Sequence, residues 1–310
     1  MKVFLTKINE SWIIDRIKDE WIANNKEITS KSPYFCQVIW NIAPWTNKNS
    51  FFKRFQNKKI VQSIYHIEDF STESKEVKDI ISNDRFIDGY HVISLETKAH
   101  LSKITDKPIF YLPLWVNQDI WFYLNQKKDL RNKYGFSSED YLVGSFQRDT
   151  EGSDLVSPKL VKGPDIFIKL IQDMYINNNK LKVILTGTRR GYVISELKKR
   201  NIPFKYFEMT DFKMMNELYN ALDLYLITSR LEGGPQALVE CGQTKTPIIS
   251  SDVGIARQIL SPESIFDFNN LATFKKATPN VDFAYKESSK LTIPKGMLGY
   301  VEMFEKIYES

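Results

Sequence analysis

The sequence is poor in the residues that most metal, redox and covalent chemistry uses. Among 310 residues there are three histidines and two cysteines. His66, His91 and His100 form no cluster, and neither cysteine belongs to a metal motif. Cys36 and Cys241 lie far apart inside apolar runs. They read as buried reduced thiols of a cytoplasmic protein, not as a disulfide framework. No run of about 18 apolar residues occurs, so no membrane-spanning helix is expected. The start, MKVFLTKINESW, has no long apolar core of the signal-peptide kind. Also lacking are a Gly-rich phosphate loop ending in Lys-Ser or Lys-Thr, a three-glycine dinucleotide fingerprint and a serine elbow. No Asp-x-Asp pair suits a metal–diphosphate bridge. A reaction that stabilises charge with cations and helix termini fits these absences, so no metal and no cofactor are expected.

What is present is ordinary for a globular chain, with 42% hydrophobic and 26% charged residues. The net charge of +5 comes from lysines spread along the whole chain. That mild basicity does not resemble a nucleic-acid binder, but it suits anionic ligands or an anionic membrane surface. The length allows two domains. Strand and helix patterns alternate through both halves, which argues for parallel sheets covered on both faces. The expected fold is α/β, with two doubly wound Rossmann-like domains facing a cleft. The expected bounds are 1–130 and 131–290, with a linker in the basic stretch 124–141 and a final helix over 295–308. Ligands of such sheets bind at the carboxyl ends of the strands.

The stretch from Ser229 to Ile259, SRLEGGPQALVECGQTKTPIISSDVGIARQI, organises the second half. Glu232 precedes Gly233-Gly234-Pro235, which reads as a helix start before Gln236 and Ala237. The free N–H groups of that start form a site for an anion or a hydroxyl. Seven residues separate Glu232 from Glu240, so the second carboxylate lies about one and a half turns into the helix. A bound molecule can touch both. A helix cap and a solvated helix residue are the plainer alternative.

Upstream, the first β–α turn of this half reads GSFQRDTEGSDLVSPKLVKGPDIF. Arg148 and Lys162 put two cations near a helix start, as a diphosphate clamp requires. Solvated loop charges are again the alternative.

This region resembles glycosyltransferase family 4, whose members are retaining enzymes of the GT-B fold. The likeness is specific over about residues 141–262. It implies that Glu232 holds the donor sugar and Glu240 the ribose of a nucleotide-diphosphate sugar. It further implies that Lys162 and Arg148 hold the diphosphate, and that Gly187, Met209 and Thr210 approach the nucleotide. His66, after a strand of the first half, would meet a sugar or acceptor hydroxyl, and with Glu232 forms the catalytic pair. The last helix would pack on the first domain. The sequence departs from the family at Ser145, where an Arg usually stands, and in the long spacing from Arg148 to Lys162. Lys7-Ile8-Asn9-Glu10 also replaces a glycine-rich turn.

The expected partners are a nucleotide sugar and an acceptor that is saccharide, lipid-linked or of another kind. No nucleic acid is expected. Trp45 to Lys59 has five basic residues and no acid. It reads as a contact with an anionic membrane, as a holder of an acidic acceptor, or as a surface helix burying Phe51, Phe52 and Phe55. Two rival functions stay open: a sugar-nucleotide epimerase, and a non-catalytic nucleotide- or sugar-binding protein.

Overall fold

A computed structural model describes residues 1–6, 13–47, 49–152 and 154–310. Lys7 to Glu10, Trp12 and Lys48 lie outside the described residues. The chain forms two units, Met1–Trp115 with Leu291–Ser310, and Val116–Lys290. Each is an α/β unit built on a parallel sheet.

In the first unit the order is β1 (Val3–Leu5), α1 (Ile13–Asn24), β2 (Val38–Asn41), α2 (Asn49–Arg54), β3 (Lys59–Ile64), α3 (Lys75–Asp84), β4 (Gly89–Val92), α4 (Leu95–Leu101) and β5 (Ile109–Tyr111). The strands lie side by side in chain order, all parallel. Successive side chains of a strand face opposite ways, so each strand feeds two cores. Val3, Leu5, Val38, Trp40 and Val61 join one cluster with α1. Phe4, Ile39, Ile60, Tyr90 and Val92 join another with α2, α3 and α4. With both faces covered, the strands are nearly all apolar, as parallel sheets require.

The second unit runs α5 (Lys127–Lys133), β6 (Tyr141–Ser145), α6 (Pro164–Asn177), β7 (Leu181–Thr186), α7 (Gly191–Lys199), β8 (Phe204–Phe207), α8 (Phe212–Ala221), β9 (Leu224–Ile227), α9 (Gln236–Thr244), β10 (Ile248–Ser251), α10 (Ala256–Ile259), β11 (Ile265–Phe266) and α11 (Val281–Ser288). Its sheet has the order β11-β10-β9-β6-β7-β8. The order reverses between β6 and β9, which pair directly. A crevice opens outside the carboxyl ends of strands at such a reversal.

The last helix, α12 (Leu298–Glu309), belongs to the first unit. Tyr300, Met303, Phe304 and Ile307 recur at helical spacing and are buried. With Trp21, Trp40 and Trp115 they build an aromatic core. Trp21 lies 5.6 Å from Trp40 and 5.5 Å from Phe304 between ring centroids.

The division between units differs from the sequence expectation. Residues 116–130 belong to the second unit because their polar groups bond to α8 and to the turn after it. Leu124 N donates to Asn220 Oδ1 at 2.7 Å, and Lys127 pairs with Asp223 at 2.8 Å. Arg131 Nε donates to Ala221 O at 3.0 Å. The basic stretch is therefore part of a packed edge. Among the described residues no helix is long and apolar enough to cross a membrane.

His91, in β4, is fully buried. Its Nε2 lies 2.9 Å from Leu112 O, an acceptor, so Nε2 carries the proton. Nδ1 then accepts from Ser63 Oγ at 2.8 Å, and Ser63 Oγ accepts from Trp40 Nε1 at 2.8 Å. Burial pulls the imidazole down to about 4, against a smaller opposing effect of the Leu112 carbonyl. The unfolded chain binds a proton near pH 6.5 and the native one does not. Stability contributed by neutral His91 is thus complete above about pH 6.5 and is lost as pH falls toward 4. The loss should approach about 3 kcal/mol. Denaturant midpoints measured between these pH values should fall with acid in the wild type and flatten in His91→Gln.

Candidate functional site

Two loops meet at the reversal point, the one after β6 and the one after β9. Lys162 ends a short turn, Leu160–Lys162, and Gly163 follows with φ of +62°. A side chain at Gly163 would put its Cβ 1.8 Å from Thr228 O, so only glycine lets the two loops approach this closely. Thr228 Oγ1 donates to Gly163 O at 2.8 Å, and Gln147 Nε2 donates to Lys162 O at 3.0 Å. Arg230 closes the other side with paired bonds of 2.7 and 2.6 Å to Asp165.

These contacts aim Lys162 at Glu232. The ammonium and Glu232 Oε1 are 2.5 Å apart, and their side chains are 23% and 10% exposed. Ser229 Oγ donates to the same carboxylate oxygen at 3.0 Å. Ser229 is itself fixed by Ser251, whose hydroxyl donates to Ser229 O at 2.7 Å. Gly254, with φ of +55°, presses against the loop: a Cβ there would meet Gly233 O at 2.4 Å. Gly233 is buried, while Gly234, Pro235, Gln236 and Ala237 are half-buried. Pro235 precedes the first turn of α9, and no side chain caps that end. A partly buried cation from the loop after β6 thus pairs with a carboxylate that lies just before the positive end of α9. That combination can hold a group bearing both phosphate and hydroxyls.

Glu240 stands on α9 and is 7% exposed. Tyr219 donates its phenol proton to Glu240 Oε2 at 2.9 Å. Burial drives the Tyr219 phenol far above its ordinary range, and the Glu240 carboxylate pushes it the same way, so it stays a donor. The Tyr219 ring lies 4.9 Å from Phe146, 5.7 Å from Trp121 and 5.4 Å from Tyr225. Gly187, with φ of +82°, ends β7 with open space beside it. Met209, 81% exposed, and half-buried Thr210 follow β8. All three stand at the carboxyl edge of the same sheet.

Arg148 is exposed, and no contact of its side chain defines a phosphate site. The buried cation beside Ser145 is Arg190. Its side chain is wholly buried, with Nε 3.1 Å from Asp149 Oδ2 and Nη2 donating to Ser145 Oγ at 3.3 Å. Burial lowers the guanidinium and raises the Asp149 carboxyl to about 6, with each partner's charge opposing the shift. The residues between Arg148 and Lys162 fold around this pair. Asp149 N donates to Arg189 O at 3.0 Å, Lys159 N to Asp149 O at 2.8 Å, and Thr150 bridges Pro158. The long spacing is therefore a compact lobe with its own ionic centre.

His66 lies in the first unit, after β3, with Nε2 3.4 Å from Glu68 Oε1 and its side chain 39% exposed. Sequence reasoning missed Gln147, Ser229 and Tyr219, which orient Lys162, Glu232 and Glu240. Their signal is positional only: each lies in or just before a segment already singled out.

The fold and this site define a class. Residues 157–278, within the second unit, match the model of the family described as glycosyl transferases group 1, and the α/β fold with its two parallel sheets is that of GT-B glycosyltransferase structures. Among relatives, the chain is similar to alpha-galactosylglucosyldiacylglycerol synthase of Streptococcus pneumoniae (strain ATCC BAA-255 / R6). They share 23% identity over 227 residues, 66% of this chain and 56% of that protein. The chain thus spans about half the length of this curated relative. Among solved structures, Anabaena Alr3699/HepE in complex with UDP and glucose superposes with a TM-score of 0.72 at 12% identity, covering 98% and 99% of the two chains. Sucrose-phosphate synthase from Thermosynechococcus elongatus gives 0.71 at 12% identity, covering 98% and 81%.

Proposed function

We propose that the chain moves a sugar from a uridine diphosphate sugar to an acceptor hydroxyl, with retention of anomeric configuration and without a metal. The observation that carries this reading is the Lys162–Glu232 pair beside the uncapped amino end of α9, at the strand-order reversal. The bond from the anomeric carbon to the diphosphate oxygen breaks, and its electron pair leaves with the diphosphate. Lys162 and the N–H groups at the start of α9 offset the charge that grows there. Glu232 orients the sugar and Glu240 the ribose. The acceptor oxygen bonds to the anomeric carbon, and its proton passes to the departing phosphate. His66 orients a sugar or acceptor hydroxyl. The choice of uridine is supported by the complexes of the HepE structure. The name of the pneumococcal relative suggests a lipid-linked sugar as first acceptor to try.

The test needs no acceptor. Water can take the acceptor's place at the anomeric carbon, so release of nucleoside diphosphate from a panel of nucleotide sugars reads the chemistry directly. Release from a uridine diphosphate sugar, insensitive to chelator and with the anomer of the freed sugar unchanged at early times, is the expected result. Tight binding with no cleavage or transfer would favour a non-catalytic nucleotide-binding protein.

A further inference from the structure

From Ile28 to Ile67 the chain contains no aspartate or glutamate, although it has 38 of them in all. The same stretch holds Lys31, Lys48, Lys53, Arg54, Lys58 and Lys59. The structure shows what this charge bias surrounds. Pro33–Phe35 form a short turn just before β2, at the end of the first sheet opposite His66. Phe35 is 79% exposed and Tyr34 57%. The turn is not loose. Ser32 Oγ accepts from Tyr34 N at 3.3 Å, and Cys36 Sγ donates to Pro33 O at 3.2 Å. Tyr34 rests edge-on against Phe55 at 5.3 Å. Two large aromatic side chains are held in water on a fixed turn, which costs free energy unless something covers them.

Cations ring the same turn. Arg54 lies over the Tyr34 ring at 5.9 Å, and Lys58 Nζ donates to Tyr34 O at 3.3 Å. Lys31 and Lys53 are exposed nearby in the chain. Arg85 covers Phe86, which stacks on Phe52 of α2 at 6.3 Å. The acids that approach from α3 and the turn after it are engaged. Asp88 pairs with Lys59 at 3.4 Å and accepts from Ile60 N, and Asp84 accepts from Tyr90 and Thr105. Phe52 and Phe55 are buried and Phe51 is half-buried, as the reading of this segment as a surface helix expects. The exposed aromatics are instead those of the preceding turn.

We infer that this turn docks the first unit on an anionic lipid surface, with Phe35 and Tyr34 entering the headgroup layer and Arg54, Lys58, Lys53 and Lys31 meeting lipid phosphates. The Tyr34 ring with its polar edge favours that layer, Phe35 adds apolar area to bury there, and each basic residue near an anionic surface adds attraction that salt screens. A lipid surface fits better than an acidic protein because the cations stand beside two exposed aromatic rings, and a headgroup layer takes up both charge and rings. This inference is independent of the donor site.

The experiment is flotation of the full chain with vesicles of phosphatidylcholine alone and of phosphatidylcholine mixed with phosphatidylglycerol. Binding to the mixed vesicles only, released by salt, is expected. Phe35→Ser should weaken it several-fold, and Arg54→Glu with Lys58→Glu should weaken it by more than about twentyfold, at roughly fivefold per cation removed. Melting curves and nucleoside diphosphate binding should stay as in the wild type, because Phe35 is exposed and outside the donor site. No binding to either vesicle, binding equal for all variants, or capture by polyglutamate in preference to mixed vesicles would overturn the inference.

Discussion

Lys162→Met lowers donor cleavage by about a hundred- to a thousandfold, the scale of losing one charged contact to a leaving group. The contact should strengthen as the diphosphate departs, so turnover should fall far more than donor affinity. The substitution also has a structural cost. Lys162 and Glu232 are mostly buried against each other, so methionine at 162 takes the ammonium from Glu232 and leaves it the Ser229 hydroxyl as donor. An unpaired buried charge destabilises by several kcal/mol. A lost rate could then reflect a damaged loop. The double variant Lys162→Met with Glu232→Gln separates the two effects. It should regain most of the melting temperature, since no lone charge remains, and should stay inactive. If the double variant recovers activity with stability, or if Lys162→Met alone turns over normally, the assignment of Lys162 to the leaving group fails.

This double requirement on one lysine shows where a sequence is readable and where it is not. Strand β3 has the bounds expected from the sequence, because Ile60, Val61 and Ile64 follow a pair of lysines and suit a parallel strand buried on both faces. Lys162, Glu232 and the start of α9 were legible because charge, Gly and Pro fall together in each of two short segments, Lys162-Gly163-Pro164 and Glu232-Gly233-Gly234-Pro235. Helix α11 was not. Its buried residues are Ala284 and Ser288, so it packs through small side chains and leaves no apolar stripe. A Cβ on Gly242 of α9 would meet Ser288 Oγ at 2.4 Å and Ala284 O at 2.8 Å, so the two helices approach through backbone. The two-residue strand β11 is too short to carry a pattern.

The burial of Arg190 is not legible in the sequence for a related reason. An arginine's burial depends on its partner, and Asp149 sits on a different turn. The long lobe after β6 could be counted in the sequence, but its ionic centre could not. His91 looked no different from His66 in composition. Only the acceptor at Leu112 O and the hydroxyl of Ser63 mark it as a neutral structural pin.

Glu240→Ala should weaken binding of uridine diphosphate by roughly ten- to a hundredfold, the range for hydrogen bonds to a charged group. Glu240 is positioned for this by Tyr219, whose buried phenol holds one carboxylate oxygen. If that carboxylate meets ribose hydroxyls, its removal matters only to a nucleotide that has them. Calorimetry with uridine diphosphate and with its 2′-deoxy and 3′-deoxy forms tests this directly. The penalty of Glu240→Ala should shrink toward none for whichever deoxy form lacks the bonded hydroxyl. Tyr219→Phe keeps the ring among Phe146, Trp121 and Tyr225 and removes only the phenol oxygen. It should cost several-fold, because the carboxylate keeps its charge and loses its orientation. An equal penalty for all three nucleotides would mean that Glu240 supports the fold of α9 and not the ribose. The anion site would then rest on Lys162 and the start of the helix alone.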